Sequence, residues 1–470
     1  MLKRKLCTGS AVLACLTVFR IVEAAPAFQI LYHERLEITP RIDATGQQHL
    51  EFDAYGRHFD VSLELNDNIR RAVAANRSDI KPYRGTLAGQ PGSWVRLTQA
   101  PDGWRGVLAD GHEIYAIEPE SVVRKASIQS LPQSDNNGVA GSSSTPAIYR
   151  LSDALIPAGS AYCGTETDEN LTSSVTGTAA RSTALNAFTQ IAKDISMKDT
   201  ATRQLVVGVV ADHQFNDNIG TDPEAEIVSR MDIVDGIWDS QVGISIVLGP
   251  VTVLTDTTDT FTATTSPTDL LTEVADYRAK LPATDGSALT HLMSGRILDG
   301  NIVGISYLGA VCNGSYSANL SANITSTTMG ALIAAHELGH SFNAVHDGVA
   351  GACSTTPQTY LMAPTINFSN QFSSCSLNTI GTTAASASCV ENKSTGGAGS
   401  TGGTSGGSSG TSSGGDPSVS DPSGSSSGSS SAGSGGSSSG GGAFDLAGLV
   451  FLAGVLLSRQ ARARKASSVQ

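Results

Sequence analysis

The residues of this chain best suited to chemistry stand together in His336-Glu337-Leu338-Gly339-His340-Ser341-Phe342-Asn343-Ala344-Val345-His346-Asp347. Imidazole nitrogens bind zinc at about 2.0–2.1 Å, and three of them suffice for a tetrahedral site that keeps one position open. On a helix, His336 and His340 fall one turn apart on one face and can share a metal. Glu337 lies roughly 100° around the helix. There it stands beside the open position, where the Glu of an HExxH pair takes a proton from the attacking water. His346 is too far along to share that face, so the chain must turn sharply after His340 to deliver it. With 9 His in 470 residues, HExxH followed by a third His at this place arises by chance in roughly one chain of ten thousand. Surface histidines on an ordinary helix are the weaker explanation.

The segment resembles the HExxHxxGxxHD consensus of metzincin peptidases, and its closing His346-Asp347 is similar to the reprolysin (adamalysin/ADAM) family. Asn343 stands where most of that family has Gly. The position serves a turn with positive φ, which Asn tolerates best among non-Gly residues, and the ADAMTS branch also carries Asn there. Tyr360-Leu361-Met362-Ala363-Pro364 resembles the Met-turn, which implies Met362 seated beneath the imidazoles. The resemblance implies one zinc per catalytic domain held by His336, His340 and His346. It also implies Glu337 as the catalytic general base in hydrolysing peptide bonds of protein and peptide substrates. Relatives often carry a structural calcium. Asn392 fits one such ligand position, whereas Ala288 replaces the acidic ligand expected before Leu292-Met293-Ser294, which argues against calcium here.

The chain opens with Lys3, Arg4 and Lys5, then an apolar run to about Val22 and small residues before Ala25, the pattern of a signal peptide over 1–24. Export makes disulfides permissible. Of 7 cysteines, Cys7 and Cys15 leave with the signal, so Cys163, Cys312, Cys353, Cys375 and Cys389 remain and one is left over. The four around the zinc motif permit three connectivities; the reprolysin resemblance implies Cys312–Cys389 and Cys353–Cys375. Cys163, in Ala161-Tyr162-Cys163-Gly164, resembles the Cys-Gly of metzincin propeptides. It would hold the fourth zinc position in a latent precursor and exclude the attacking water. The plainer alternative is a cysteine with no role.

Upstream, Leu50 to Phe59 alternates apolar and polar residues as half-buried strands do. A second strand-rich block runs through Ser93-Trp94-Val95-Arg96-Leu97 to Ile114-Tyr115-Ala116-Ile117-Glu118-Pro119. Both resemble blocks of the reprolysin propeptide, which would occupy 25–165. A polar connector over 166–201 carries no dibasic site for the processing cut. Leu205-Val206-Val207-Gly208-Val209-Val210-Ala211-Asp212 reads as a buried strand opening the catalytic domain, 202–392. An amphipathic stretch from about Pro223 to Ser240 puts Ile227, Met231, Val234 and Trp238 on one core face. Ile244–Leu248 and Val251–Leu254 read as the next strands. Val303–Ala310 would be the edge strand before the zinc helix, where a peptide adds as a further strand. The expected fold is an α/β metzincin catalytic domain, a twisted and mostly parallel sheet with helices and a zinc cleft, behind a β-rich propeptide domain.

Residues 393–442 form a Gly/Ser-rich linker that cannot bury a core. The apolar part of the tail at 443–470 reaches only ~22 Å as a helix, short of a ~30 Å hydrocarbon core. With its Gly-Gly and its basic end at Arg459, Arg462, Arg464 and Lys465, it resembles the GlyGly-CTERM sorting tails of Gram-negative bacteria. That implies transient or permanent membrane association. It also implies processing by a rhomboid-type protease (rhombosortase) beside signal peptidase, with display at the cell surface or outer membrane, or release. The net charge of −13, with scattered Lys and Arg, gives no footing for nucleic acid. A non-catalytic zinc-containing surface adhesin or binding module would fit the same pattern, but retention of Glu337 and all three histidines argues for catalysis.

Overall fold

The computed structural model describes residues 28–127, 145–165 and 201–393, apart from 45–46, 74–75, 158–159, 221, 258–259, 263–264 and 350. The signal segment, connector residues 166–200, linker residues 394–442 and the tail lie outside them.

The N-terminal part is built on a nine-stranded antiparallel sheet. The Leu50–Phe59 block is a hairpin of strands Gln48–Ala54 and Arg57–Leu65, with Phe52 opposite Phe59. Its turn, Tyr55-Gly56, has φ of 53° and 69°, the left-handed pair that suits two-residue hairpins. Alternation divides the later strands between two environments. Val95, Leu97, Tyr115 and Ile117 join Phe52, Phe59 and Leu63 in one core. Trp94, Arg96, Ala116 and Glu118 take the other face, which packs on the helix Pro223–Gln241.

The second part has the strand Arg203–Ala211 at its centre. It pairs in parallel with Ile244–Val253 and Leu289–Ser294, and antiparallel with Glu391–Asn392. Leu289–Ser294 pairs in parallel with Ala318–Ala322, which runs antiparallel to Ile302–Ser306. The short strand Tyr162–Thr165 then adds in parallel to Ile302–Ser306 at the edge. This is an α/β arrangement of one sheet with helices.

Three strand readings change. Asp212 is not in the first strand but caps the next helix, His213–Ile219, accepting from the Phe215 N–H at 2.8 Å. Ile244–Val253 is one strand with a register shift, not two; Gly249-Pro250 punctuates the sequence without ending the ladder. The Val303–Ala310 run stops as a strand at Ser306 and turns at Gly309 (φ 67°), so Ala318–Ala322 comes between it and the motif helix.

Helix Pro223–Gln241 starts on an Asp222 cap with Pro at its first turn, both strong starting signals. Ile227, Met231, Val234 and Trp238 are buried as expected, but so are Glu226, Arg230, Asp232 and Asp235. The helix is covered on both sides, by the N-terminal sheet on one and by the second sheet and the motif helix on the other. That motif helix, Thr327–Ser341, is capped by Ser326, whose hydroxyl accepts from Met329 N–H. Disulfides Cys312–Cys389 and Cys353–Cys375 are both formed. Among the described residues no helix is long and apolar enough to cross a membrane.

Candidate metal centre

One turn of the motif helix separates His336 and His340, and their Nε2 atoms stand 3.0 Å apart. After Ser341 the helix ends, and Asn343 adopts φ 69°, the left-handed turn required to bring the third imidazole round. His346 Nε2 then lies 3.1 Å from His340 Nε2. Asp347, next in sequence, fastens this loop: its N–H donates to Met362 O at 2.8 Å, and its carboxylate accepts from the Ser373 hydroxyl at 2.9 Å.

Two backbone carbonyls set the protonation of the rings. His336 Nδ1 lies 2.6 Å from Leu361 O and His340 Nδ1 lies 2.7 Å from Ala344 O. A carbonyl only accepts, so each Nδ1 carries the proton and each Nε2 presents a lone pair. Burial, followed by the neighbouring imidazoles, keeps both rings neutral: His336 is lowered to about 3 and His340 lies well below its ordinary value. Lone pairs facing one another at 3.0 Å repel unless a cation lies between them. Tetrahedral zinc sets its nitrogen ligands roughly 3.3 Å apart. The donor set fits that ion.

Cys163 completes the cluster. Its Sγ and one nitrogen from each of His336, His340 and His346 lie within 4.8 Å of one another, all buried. Sγ is 3.4 Å from His340 Nε2 and 2.9 Å from Glu337 Oε1, to which the thiol donates. Backbone on both sides holds the cysteine in place. Its own strand pairs with Ile302–Ser306, and its N–H donates to Pro364 O at 3.0 Å. The chain around Cys163 thus lies as an added strand between the sheet edge and the segment after Met362.

Glu337 is fully buried beside the ligands. Burial raises its carboxyl well above the usual carboxylate range, and the Cys163 thiol partly offsets this. Oε1 has the thiol, while Oε2 has no hydrogen-bond partner among the described residues. The space it occupies exists because residue 304 is glycine: a Cβ there would stand 2.2 Å from Glu337 Oε1. Gly304 was visible in the sequence only as a glycine within a strand, a common mark of close approach by another group. Met362 is buried in the turn Tyr360–Pro364, and its Sδ lies 2.6 Å from where a Cβ on Gly339 would be. The motif's own glycine therefore makes room for the methionine under the helix.

Asn392 and Ala288, the positions weighed in the sequence for calcium, lie away from this cluster. Asn392 is exposed and pairs through its backbone with Arg203. The carbonyls of Ser287, Ala288 and Gly314 accept from the guanidinium of Arg278 at 3.0, 2.9 and 2.7 Å.

Residues 201–401 match the family Reprolysin_5, described as metallo-peptidase family M12. A stretch of 109 residues, 23% of this chain, is 34% identical to the zinc metalloproteinase-disintegrin-like atrase-A of Naja atra. The chain spans only 18% of that relative's length. A crystal structure of metalloproteinase-II from Bacteroides fragilis aligns with 71% of this chain and 90% of its own, at 13% identity and a TM-score of 0.42. Residues 201–401, which carry His336, His340 and His346, are thus similar to M12 metallopeptidases.

Proposed function

We propose that this protein is a zinc-dependent endopeptidase made as a latent precursor, with residues 25–165 as its propeptide and 202–392 as its catalytic domain. The observation that carries the proposal is the meeting of Cys163 with His336, His340, His346 and Glu337 in one buried site. His336, His340 and His346 would hold zinc through their Nε2 atoms, and the ion when bound would supply Lewis-acid chemistry toward the scissile carbonyl and water. Leu361 O and Ala344 O keep His336 and His340 in the tautomer that holds it. Glu337 takes the proton of the attacking water and returns it to the leaving amine. The edge strand Ile302–Ser306 receives the substrate backbone as an added strand. Until processing, the chain around Cys163 occupies that edge and its thiol stands against the three imidazoles, where it would take the place of a water on the metal.

Export, signal-peptidase and rhomboid-type processing, and a surface or extracellular destination in a Gram-negative bacterium belong to the same proposal. They rest on terminal segments outside the described residues. The two disulfides are consistent with an extracellular protein. Structural calcium is not part of the proposal. Elemental analysis of the purified protein should find one zinc per chain. After removal of the N-terminal region, a chelator should abolish cleavage of an unfolded protein substrate, and added zinc should restore it. Full activity in metal-free protein would refute the zinc mechanism.

A further inference from the structure

Cys163 is not the only tie between the N-terminal sheet and the metallopeptidase domain. The second strand block noted in the sequence directs Trp94, Arg96 and Glu118 at the helices opposite. Arg96 Nη2 donates to Asp235 Oδ2 at 3.0 Å, and Asn66 Nδ2 donates to Asp232 Oδ1 at 2.7 Å and to Asp235 Oδ2 at 3.0 Å. Arg105 Nη1 donates to Glu226 Oε2 at 2.7 Å. Glu118 Oε1 accepts from Ser326 Oγ at 2.8 Å and from Thr328 N–H at 3.0 Å. A propeptide carboxylate therefore sits on the positive end of the motif helix. That end is ~12 Å along the helix from His336. Every side chain in these pairs is buried. The helix and sheet meet most closely at Gly236, where a Cβ would stand 2.7 Å from both the Trp94 ring and Arg96 Cγ.

Blocking the cleft requires only the short strand at Cys163. The buried charge pairs remote from it do something else. Buried, hydrogen-bonded ion pairs between two surfaces chiefly slow dissociation. We propose that the N-terminal β domain is a non-covalent partner of the metallopeptidase domain in its own right. These pairs form a latch that retains it after the connector is cut, so that scission alone does not open the site. The inference rests on residues 25–165 being the propeptide.

The test uses the full-length protein with a site for a sequence-specific protease inserted in the connector. After cutting and dilution to nanomolar concentration, co-elution reports retention and a quenched peptide reports activity, each read separately. The cut wild type should remain a single two-chain species. Cut Cys163→Ala should remain so too, since its latch is untouched. Arg96→Ala and Gly236→Leu should each weaken association roughly a hundredfold or more and elute as separate chains. Gly236→Leu removes no charge and replaces a poor helix former by a good one, so separation in that variant is not explained by a damaged helix. The latch is overturned if the cut wild type separates as readily as these variants, or if both variants stay together as the wild type does. An uncut wild-type precursor that is already active would instead refute the propeptide reading and leave the co-elution result intact.

Discussion

Glu337→Gln should give a protein that still holds one zinc per chain and has lost peptidase activity by at least about 10²–10⁴-fold, the usual contribution of a positioned general base. The substitution keeps shape and volume, so the space opposite Gly304 remains filled and the ligands are not disturbed. What changes is chemical: an amide cannot accept the proton of the attacking water. The buried position intensifies the effect, because few alternative bases are at hand. His336 and His340 are committed to carbonyls through Nδ1 and would hold the metal through Nε2. Rates on a quenched peptide, measured with zinc content on the same preparation after removal of the N-terminal region, decide the matter. A zinc-loaded glutamine variant cleaving at the wild-type rate would eliminate Glu337 as the base.

Cys163→Ala should turn the uncut precursor from silent to measurably active. Among the described residues, the thiol is the one side chain the N-terminal region places in the donor cluster. Without it a water can occupy the open position. Activation should be partial, since the strand still pairs with Ile302–Ser306 and its N–H still donates to Pro364 O. If the thiol contributes even ~1.4 kcal/mol to holding the strand closed, its loss raises the open fraction about tenfold. Peptidase assays on uncut protein, with electrophoresis to exclude processing, provide the comparison. A variant as silent as the wild type would mean that the strand's backbone alone enforces latency.

The centre was largely legible because its parts are local. HExxH fixes two ligands and the base by helix geometry, and Asn343 signals the turn that delivers His346. Met362 and both disulfides came from family resemblance, since no spacing rule chooses among three pairings. The rest depended on contacts distant in sequence. Asp232 and Asp235 look like solvent-facing residues of an amphipathic helix; their partners, Asn66 and Arg96, lie far upstream. Ala318–Ala322 escaped notice as a strand because, although Ala318, Leu320 and Ala322 alternate with Asn319 and Ser321, the run is short and holds no β-branched or aromatic residue. Asn319 and Ser321 are nevertheless buried, bonded to His291 on the neighbouring strand. Gly304 reads as an ordinary strand glycine until Glu337 is seen against it.

The buried aspartate at the domain contact makes the association sensitive to acidity. Burial pushes Asp232 up to about 7 from its ordinary 3.8, against the opposing influence of Arg96 and Asn66; Asp235 adds to the rise and Thr98 opposes it. Three of these four neighbours, Arg96, Asn66 and Thr98, belong to the N-terminal domain. When that domain leaves, Asp232 is uncovered and its affinity for a proton falls toward the ordinary value. At Asp232 the joined form therefore binds more protons than the separated one, whereas Glu226, lowered against burial by Arg230 and Arg105, works the other way. The benefit is fully present below about pH 4 and is lost as pH rises through about 7. Association of the cut chains should be tighter at pH 5 than at pH 8, and their dissociation should release protons into weakly buffered solution; equal affinity at both would exclude the linkage. Acidic surroundings would keep the two chains together, and a neutral exterior would let them part.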